Sequence, residues 1–143
     1  MANPQNEAII RRTLELLSQP QLPADFTEVI DANWENHAPI PFPSGPEGFR
    51  ALHDFWHKGF PDMRIEAELM ISDGDYVAAH QTIRGTHTGE FLGIAPTGKP
   101  FVVTGTTTNR VAGGRIAEAW GHIDLLGLML QLGLVAPPRQ GSR

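Results

Sequence analysis

The spacing of apolar residues changes once along this chain, near Met63, and that change limits the folds open to it. Before it, apolar side chains recur every three or four positions; after it, they alternate. Ile9, Ile10, Thr13, Leu14, Leu16 and Leu17 share one side of a helix whose other side carries Glu7, Arg11, Arg12 and Glu15. Asn3 and Pro4 suit its cap and first turn, and Pro20 and Pro23 end it. Residues 24–31 read as a short second helix with Phe26, Val29 and Ile30 inward. A third helix follows Gly45-Pro46 and runs to about Lys58, with Phe49, Leu52, Phe55 and Trp56 inward and Gly59 as its stop. Between the second and third helices, Asn33-Trp34-Glu35-Asn36-His37 leads into a proline-rich segment, 38–43, that suits neither helix nor central strand.

From Met63 the period is two. Ile65, Ala67, Leu69 and Ile71 mark one face of a first strand, and Asp73-Gly74-Asp75 is a tight hairpin signal. Residues 76–86 make a second strand and 101–111 a third, joined by a loop that begins at Gly85-Thr86-His87-Thr88-Gly89 and closes at Pro96-Thr97-Gly98-Lys99. Ala112-Gly113-Gly114 turns the chain into a fourth strand ending at Asp124, and the apolar segment 125–134 reads as a short C-terminal helix. Helices followed by a meander define an α+β domain spanning residues 1–143. We expect a cone-shaped barrel, with three N-terminal helices on a curved, mainly antiparallel sheet. The open end of such a cone is a natural ligand pocket.

Composition removes several classes of function. The net charge is −5, which offers no basic footprint for nucleic acid or an anionic membrane. Cysteine is absent, so disulfides, thiolate catalysis and cysteine metal sites are excluded. The polar Met1–Asn6 stretch lacks the apolar core of a signal peptide, and no apolar run approaches the ~18–20 residues of a membrane span. We expect a cytoplasmic protein.

Alternation along the fourth strand puts Ile116, Glu118, Trp120, His122 and Asp124 on one face. Asp124 precedes the apolar run Leu125-Leu126-Gly127-Leu128. It either caps the following helix or lies at the mouth or floor of an apolar pocket.

The order and spacing of Phe60-Pro61-Asp62, Asp73-Gly74-Asp75, Gly85-Thr86-His87-Thr88-Gly89, Pro96-Thr97-Gly98-Lys99, Gly114-Arg115-Ile116, Trp120…Asp124 and Gln131-Leu132-Gly133 resemble the SnoaL-like polyketide cyclases, within the nuclear transport factor two-like superfamily. The resemblance covers nearly the whole chain. It implies ring closure by intramolecular aldol chemistry without metal or cofactor, and homo-oligomers such as dimers or tetramers. It places the acid/base aspartate at Asp124 and a pocket asparagine at Asn36. A family histidine falls on Arg110, where this chain departs from the pattern: an arginine does not exchange a proton near neutral pH. Arg110 is expected to bind a substrate carboxylate or enolate oxygen, with His80 or His122 available as replacement donors.

The expected catalytic set is therefore Asp124, Arg110 and His37. Asn36, Trp34, Trp56, His80, Trp120 and His122 are expected to bind a hydrophobic small-molecule substrate. His53 and His57 are four apart on the third helix, but His53-Asp54-Phe55-Trp56-His57 lacks the glutamate of the zinc-protease motif and shows no third ligand, so no metal is expected. His87 reads as a turn residue of its glycine-rich loop. The expected chemistry is proton abstraction beside a carbonyl, giving aldol-type cyclisation or isomerisation. Two alternatives stand beside it: an epoxide hydrolase, which needs two carboxylates with an arginine between them, and a non-catalytic ligand-binding module.

Overall fold

Asn3 caps the first helix as its sequence suggests. In the computed structural model, which describes residues 1–139 and 141, its side chain accepts from the Asn6 N–H at 3.1 Å and helix α1 spans Pro4–Leu17. Its apolar stripe buries Ile10, Leu14 and Leu16. Helix α2, Pro46–Gly59, also has the bounds its sequence suggests and buries Phe49 and His53.

The expected second helix does not form as such. Ala24–Glu28 is a short 3-10 turn, and the chain then extends into strand β1, Ile30–His37. The segment concealed its strand character because its two buried side chains, Ile30 and Trp34, stand four residues apart, a helical spacing. The same interval also suits a strand, where residues four apart share a face, and the pairing register with its neighbour shifts between Ile30 and Glu35. So two α-helices and a 3-10 turn, not three helices, precede the meander, and the third α-helix, α3 (Leu125–Gln131), follows it.

The meander strands are β2 (Arg64–Asp73), β3 (Tyr76–Thr86), β4 (Pro100–Ala112) and β5 (Arg115–Ile123). They and β1 form one mixed sheet in the order β1-β5-β4-β3-β2, in which β1 runs parallel to β5 and the other pairs are antiparallel. Gly113 and Gly114 both take left-handed φ, 59° and 78°, which the β4–β5 turn requires.

Two bulges correct the expected faces. One between Ala67 and Leu69 turns Leu69 and Ile71 outward, where they are 57% and 64% exposed, and sends Met70 and Ser72 inward. The other, where Val111 pairs with Ile116 but Arg110 pairs with Glu118, inserts Ala117. After it Ala119 shares the inner face with Ile116, while Glu118 and Trp120 point away. One extra residue reverses every later side chain, so Ile116 and Glu118 do not share a face after all.

On the inner face the core falls into two clusters. Trp34, Phe49, Phe26, Ile10 and Val77 pack at the β1 end, and Phe60, Phe91, Phe101, Met63 and Leu128 at the other. Gly48 lets α2 lie against the proline-rich segment: a Cβ there would stand 1.7 Å from the Pro43 carbonyl oxygen. Gly48→Ala should therefore destabilise the protein by about 1–3 kcal/mol, the usual cost of overpacking. A urea midpoint equal to that of the parent protein would show that the segment gives way freely.

Candidate active site

Between the inner face of the sheet and helices α1 and α2 lies a cavity of about 350 Å³, within the ~300–1,000 Å³ usual for small-molecule sites. Its walls are apolar and aromatic: Trp34 from β1, Phe49, Phe55 and Trp56 from α2, and Leu14 and Leu17 from α1. The segment after β1 contributes Pro39, Ile40 and Phe42, and the β3–β4 loop contributes Phe91 and Leu92. Leu92 holds a left-handed φ of 52°, a sparsely populated conformation for a branched residue.

Small residues make the space. Gly121 on β5 faces the inward Thr107 of β4, and Ala119 stands on the same inner face; both line the cavity. The side chains that would fill the floor of an ordinary core are missing there. In their place stands a polar group that the strand pattern carries at apolar positions. Gln81 follows Val77 and Ala79 on β3; Thr107 and Asn109 follow Phe101, Val103 and Gly105 on β4. Gln81 Nε2 donates to Thr107 Oγ1 at 2.8 Å, and Asn109 Nδ2 donates to the same oxygen at 3.2 Å. Gln81 and Asn109 are 3% and 6% exposed. A polar residue in the inward phase of a strand is a readable signal, and it marks these three residues, which the motif comparison passed over.

Of the expected substrate-binding residues, Asn36, Trp34 and Trp56 line the cavity, and His122 borders it at the end of β5 with its exposed side chain in the outward phase of that strand. Arg110, His37, His80 and Trp120 do not. They lie on the opposite face of the sheet, because β3 and β4 turn their even-numbered side chains outward and the bulge at Ala117 turns Trp120 outward too. There His37 stacks on Trp120, with ring centroids 5.0 Å apart, and its Nε2 lies 2.6 Å from Glu118 Oε2. Arg110 Nε donates to Glu118 Oε1 at 3.1 Å. With Glu35 Oε2 4.0 Å from His37, this is a charge network that ties β1 to β5 and β4. The hydrogen bond to His37, and then that from Arg110, hold the Glu118 carboxyl below its ordinary value.

Asp124 is the N-cap of α3: its Oδ1 accepts from the Gly127 N–H at 2.8 Å, and the residue is exposed. Both of its neighbours, Ile123 and Leu125, line the cavity, so it stands at the rim and not on the floor. No Asp, Glu, Lys or Arg lines the cavity among the described residues, and His122, which borders it, turns an exposed side chain to the outer face.

The other histidines hold the frame. His57 Nε2 and His53 Nε2 lie 2.7 Å from the carbonyl oxygens of Leu17 and Gln19, and so complete the end of α1. Buried His87 accepts at Nδ1 from the Thr97 N–H, 3.2 Å, which ties the two ends of the β3–β4 loop.

The comparisons with known proteins agree with this architecture. The pattern of the SnoaL-like polyketide cyclases matches residues 7–132, and the chain belongs to that family. It is 29% identical over 140 residues to an aklanonic acid methyl ester cyclase of Streptomyces galilaeus, covering 95% of this chain and 96% of that one. It is 27% identical over 122 residues to the nogalonic acid methyl ester cyclase of Streptomyces nogalater, covering 83% and 91%. Among solved structures, IdmH of Streptomyces antibioticus, a candidate polyketide cyclase, superposes with a TM-score of 0.77 at 32% identity, covering 90% of this chain and 99% of that one. TsrD of Streptomyces laurentii shares the fold, with a TM-score of 0.84 at 24% identity over 94% of this chain and 99% of that one.

Two predictions follow from this geometry. Because the folded-state pKa of Glu118 is depressed, its stabilising contribution is present above the ordinary carboxylate value and is lost as the pH falls through the lowered one. Glu118→Gln should flatten the acid limb of a plot of urea midpoint against pH; an unchanged limb would mean the network contributes nothing. A Cβ at Gly121 would stand 3.7 Å from Thr107 Cγ2, an ordinary contact. Gly121→Val should therefore fold normally while filling the floor, and should weaken binding of aromatic ketones measured by tryptophan fluorescence.

Proposed function

We propose that this protein is a cofactor-independent, polyketide cyclase-like enzyme. It takes a hydrophobic small molecule bearing a carbonyl and removes a proton from the adjacent carbon. The resulting enolate attacks a second carbonyl of the same molecule in an aldol-type cyclisation, or is reprotonated elsewhere in an isomerisation. The observation that carries this reading is the cavity: apolar walls around a small neutral polar floor, with no Asp, Glu, Lys or Arg in its lining among the described residues. Such a site holds an uncharged aromatic or alicyclic body and offers hydrogen bonds to its oxygens, as enolate stabilisation requires. Two curated relatives carry methyl ester cyclase names, which accords with a lining that has no cation to receive a free carboxylate.

One group at the rim is suited to take the proton. The family resemblance favours Asp124, whose second carboxylate oxygen is not used in capping α3. His122 borders the cavity at the end of β5, but its exposed side chain shares the outer phase of Glu118 and Trp120. The epoxide-hydrolase alternative loses its parts here, because Arg110 is engaged by Glu118 on the far face and no carboxylate lines the cavity among the described residues.

The test is solvent deuterium exchange into methyl ketones and β-keto esters by the parent protein, Asp124→Asn and, as the outward-facing comparison, His122→Gln. Exchange lost in one variant by about a hundredfold or more, the usual span of general base catalysis, names the base. Ligand binding without exchange in any of the three would replace the enzymatic reading by that of a binding module.

A further inference from the structure

The Gln81–Thr107–Asn109 group has a property that goes beyond a generally polar floor. This inference rests on the cavity being the ligand site. A threonine hydroxyl offers two lone pairs and one proton. Here both amide nitrogens donate to Thr107 Oγ1, at 2.8 Å from Gln81 and 3.2 Å from Asn109. Two incoming N–H donors occupy both lone pairs, so the oxygen has no acceptor capacity left. Its own proton cannot return to either donor, and no acceptor for it stands among the described hydrogen bonds. The amide oxygens of Gln81 and Asn109 have no protein partner either. Yet the one fully buried, unpartnered side-chain polar atom among the described residues is His87 Nε2. Those two oxygens therefore reach open space, and the space bordering Gln81, Thr107 and Asn109 is the cavity.

We infer that Thr107 is a substrate-binding residue that acts as a fixed hydrogen-bond donor, held in that role by Gln81 and Asn109, and that it receives a neutral carbonyl oxygen at the cavity floor. Gln81 and Asn109 are positioning residues that act through it. The placement supports the role. Thr107 is diagonal to Gln81 across the β3–β4 pair, where Gln81 faces Gly105, and it is two residues from Asn109 on the same strand face. Its partner on β5 is Gly121, which has no side chain to cover the hydroxyl. A preset donor needs no rotor to be ordered when the ligand arrives, and it strengthens as the carbonyl acquires enolate character. The flanking amide oxygens add acceptors on either side, so the floor suits a carbonyl with a neighbouring hydroxyl.

The probe is 2-acetylnaphthalene carrying a carbon-13 carbonyl, with binding followed by tryptophan fluorescence and the bound carbonyl stretch by difference infrared spectroscopy. In the parent protein the stretch should move to lower frequency than in hexane. Thr107→Ser, which retains the hydroxyl, should keep that shift. Thr107→Val should lose it and bind roughly three- to tenfold more weakly, the worth of one neutral hydrogen bond. Gln81→Met, which frees a lone pair and lets the hydroxyl turn, should broaden or diminish the shift although Thr107 is still present. An unshifted carbonyl in the parent protein, an undiminished shift in Thr107→Val, or no binding of the probe would overturn the inference. The shift and the deuterium exchange are separate readouts on one molecule. Exchange without a shift defeats the donor role alone, whereas a shift without exchange supports that role and defeats the enzymatic reading.

Discussion

The parallel pairing of β1 with β5 is the interaction on which the site depends. It is sealed by the Ile116 N–H donating to the Val29 carbonyl at 2.7 Å, and the strands then run in register from Glu35 and Glu118 to His37 and Trp120. The pairing puts Trp34 and Asn36 on the inner face and His37 on the outer one. It also starts the proline-rich segment at the edge of the cavity, so that Pro39, Ile40 and Phe42 become wall. Gly45 N–H donates to the Trp34 carbonyl at 2.7 Å and returns the chain to α2. Without β1 the sheet would end at β5, and the cavity would be open along that side.

Charge and polarity are sorted between the two faces of the same sheet. The outer face carries Arg110, Glu118, His37 and Glu35, where solvent screens the pairs and desolvation is modest. The inner face carries only neutral polar groups, bonded to one another and to cavity space. A buried unpaired charge there would cost several kcal/mol, and the fold avoids it. The two arrangements meet on adjacent residues of β4, Asn109 inward and Arg110 outward.

That adjacency decides which of two neighbouring residues can reach a ligand in the cavity. The family resemblance puts the histidine position at Arg110, by the spacing from Asp124 through Gly114-Arg115-Ile116, and the side chain there points away from the cavity. The extra residue at Ala117 shifts the pairing of β5 with β4 by one, so alternation read along β5 from Ile116 puts Glu118 and Trp120 on the wrong face. The inward position next to Arg110 is Asn109. A bulge leaves little trace in a sequence, because it is a property of the pairing with a second strand and not of either strand alone.

Local signals in the sequence determined α1, α2, the four meander strands, their tight turns and the α+β class. Caps, proline and glycine punctuation and side-chain period are set by residues within a few positions of one another. Family membership was legible for the same reason, through motifs held at fixed spacing. Which side chains share the cavity was decided only by tertiary structure. The hidden strand β1 depends on hydrogen bonds to a segment some eighty residues away, and the bulges on β2 and β5 depend on the pairing of each strand with its neighbour in the meander. Asp124 shows the division within one residue. Its sequence context allowed either a cap or a pocket role, and the folded chain gives it the cap of α3 at the rim of the cavity, because the local N–H of Gly127 lies within reach of its carboxylate.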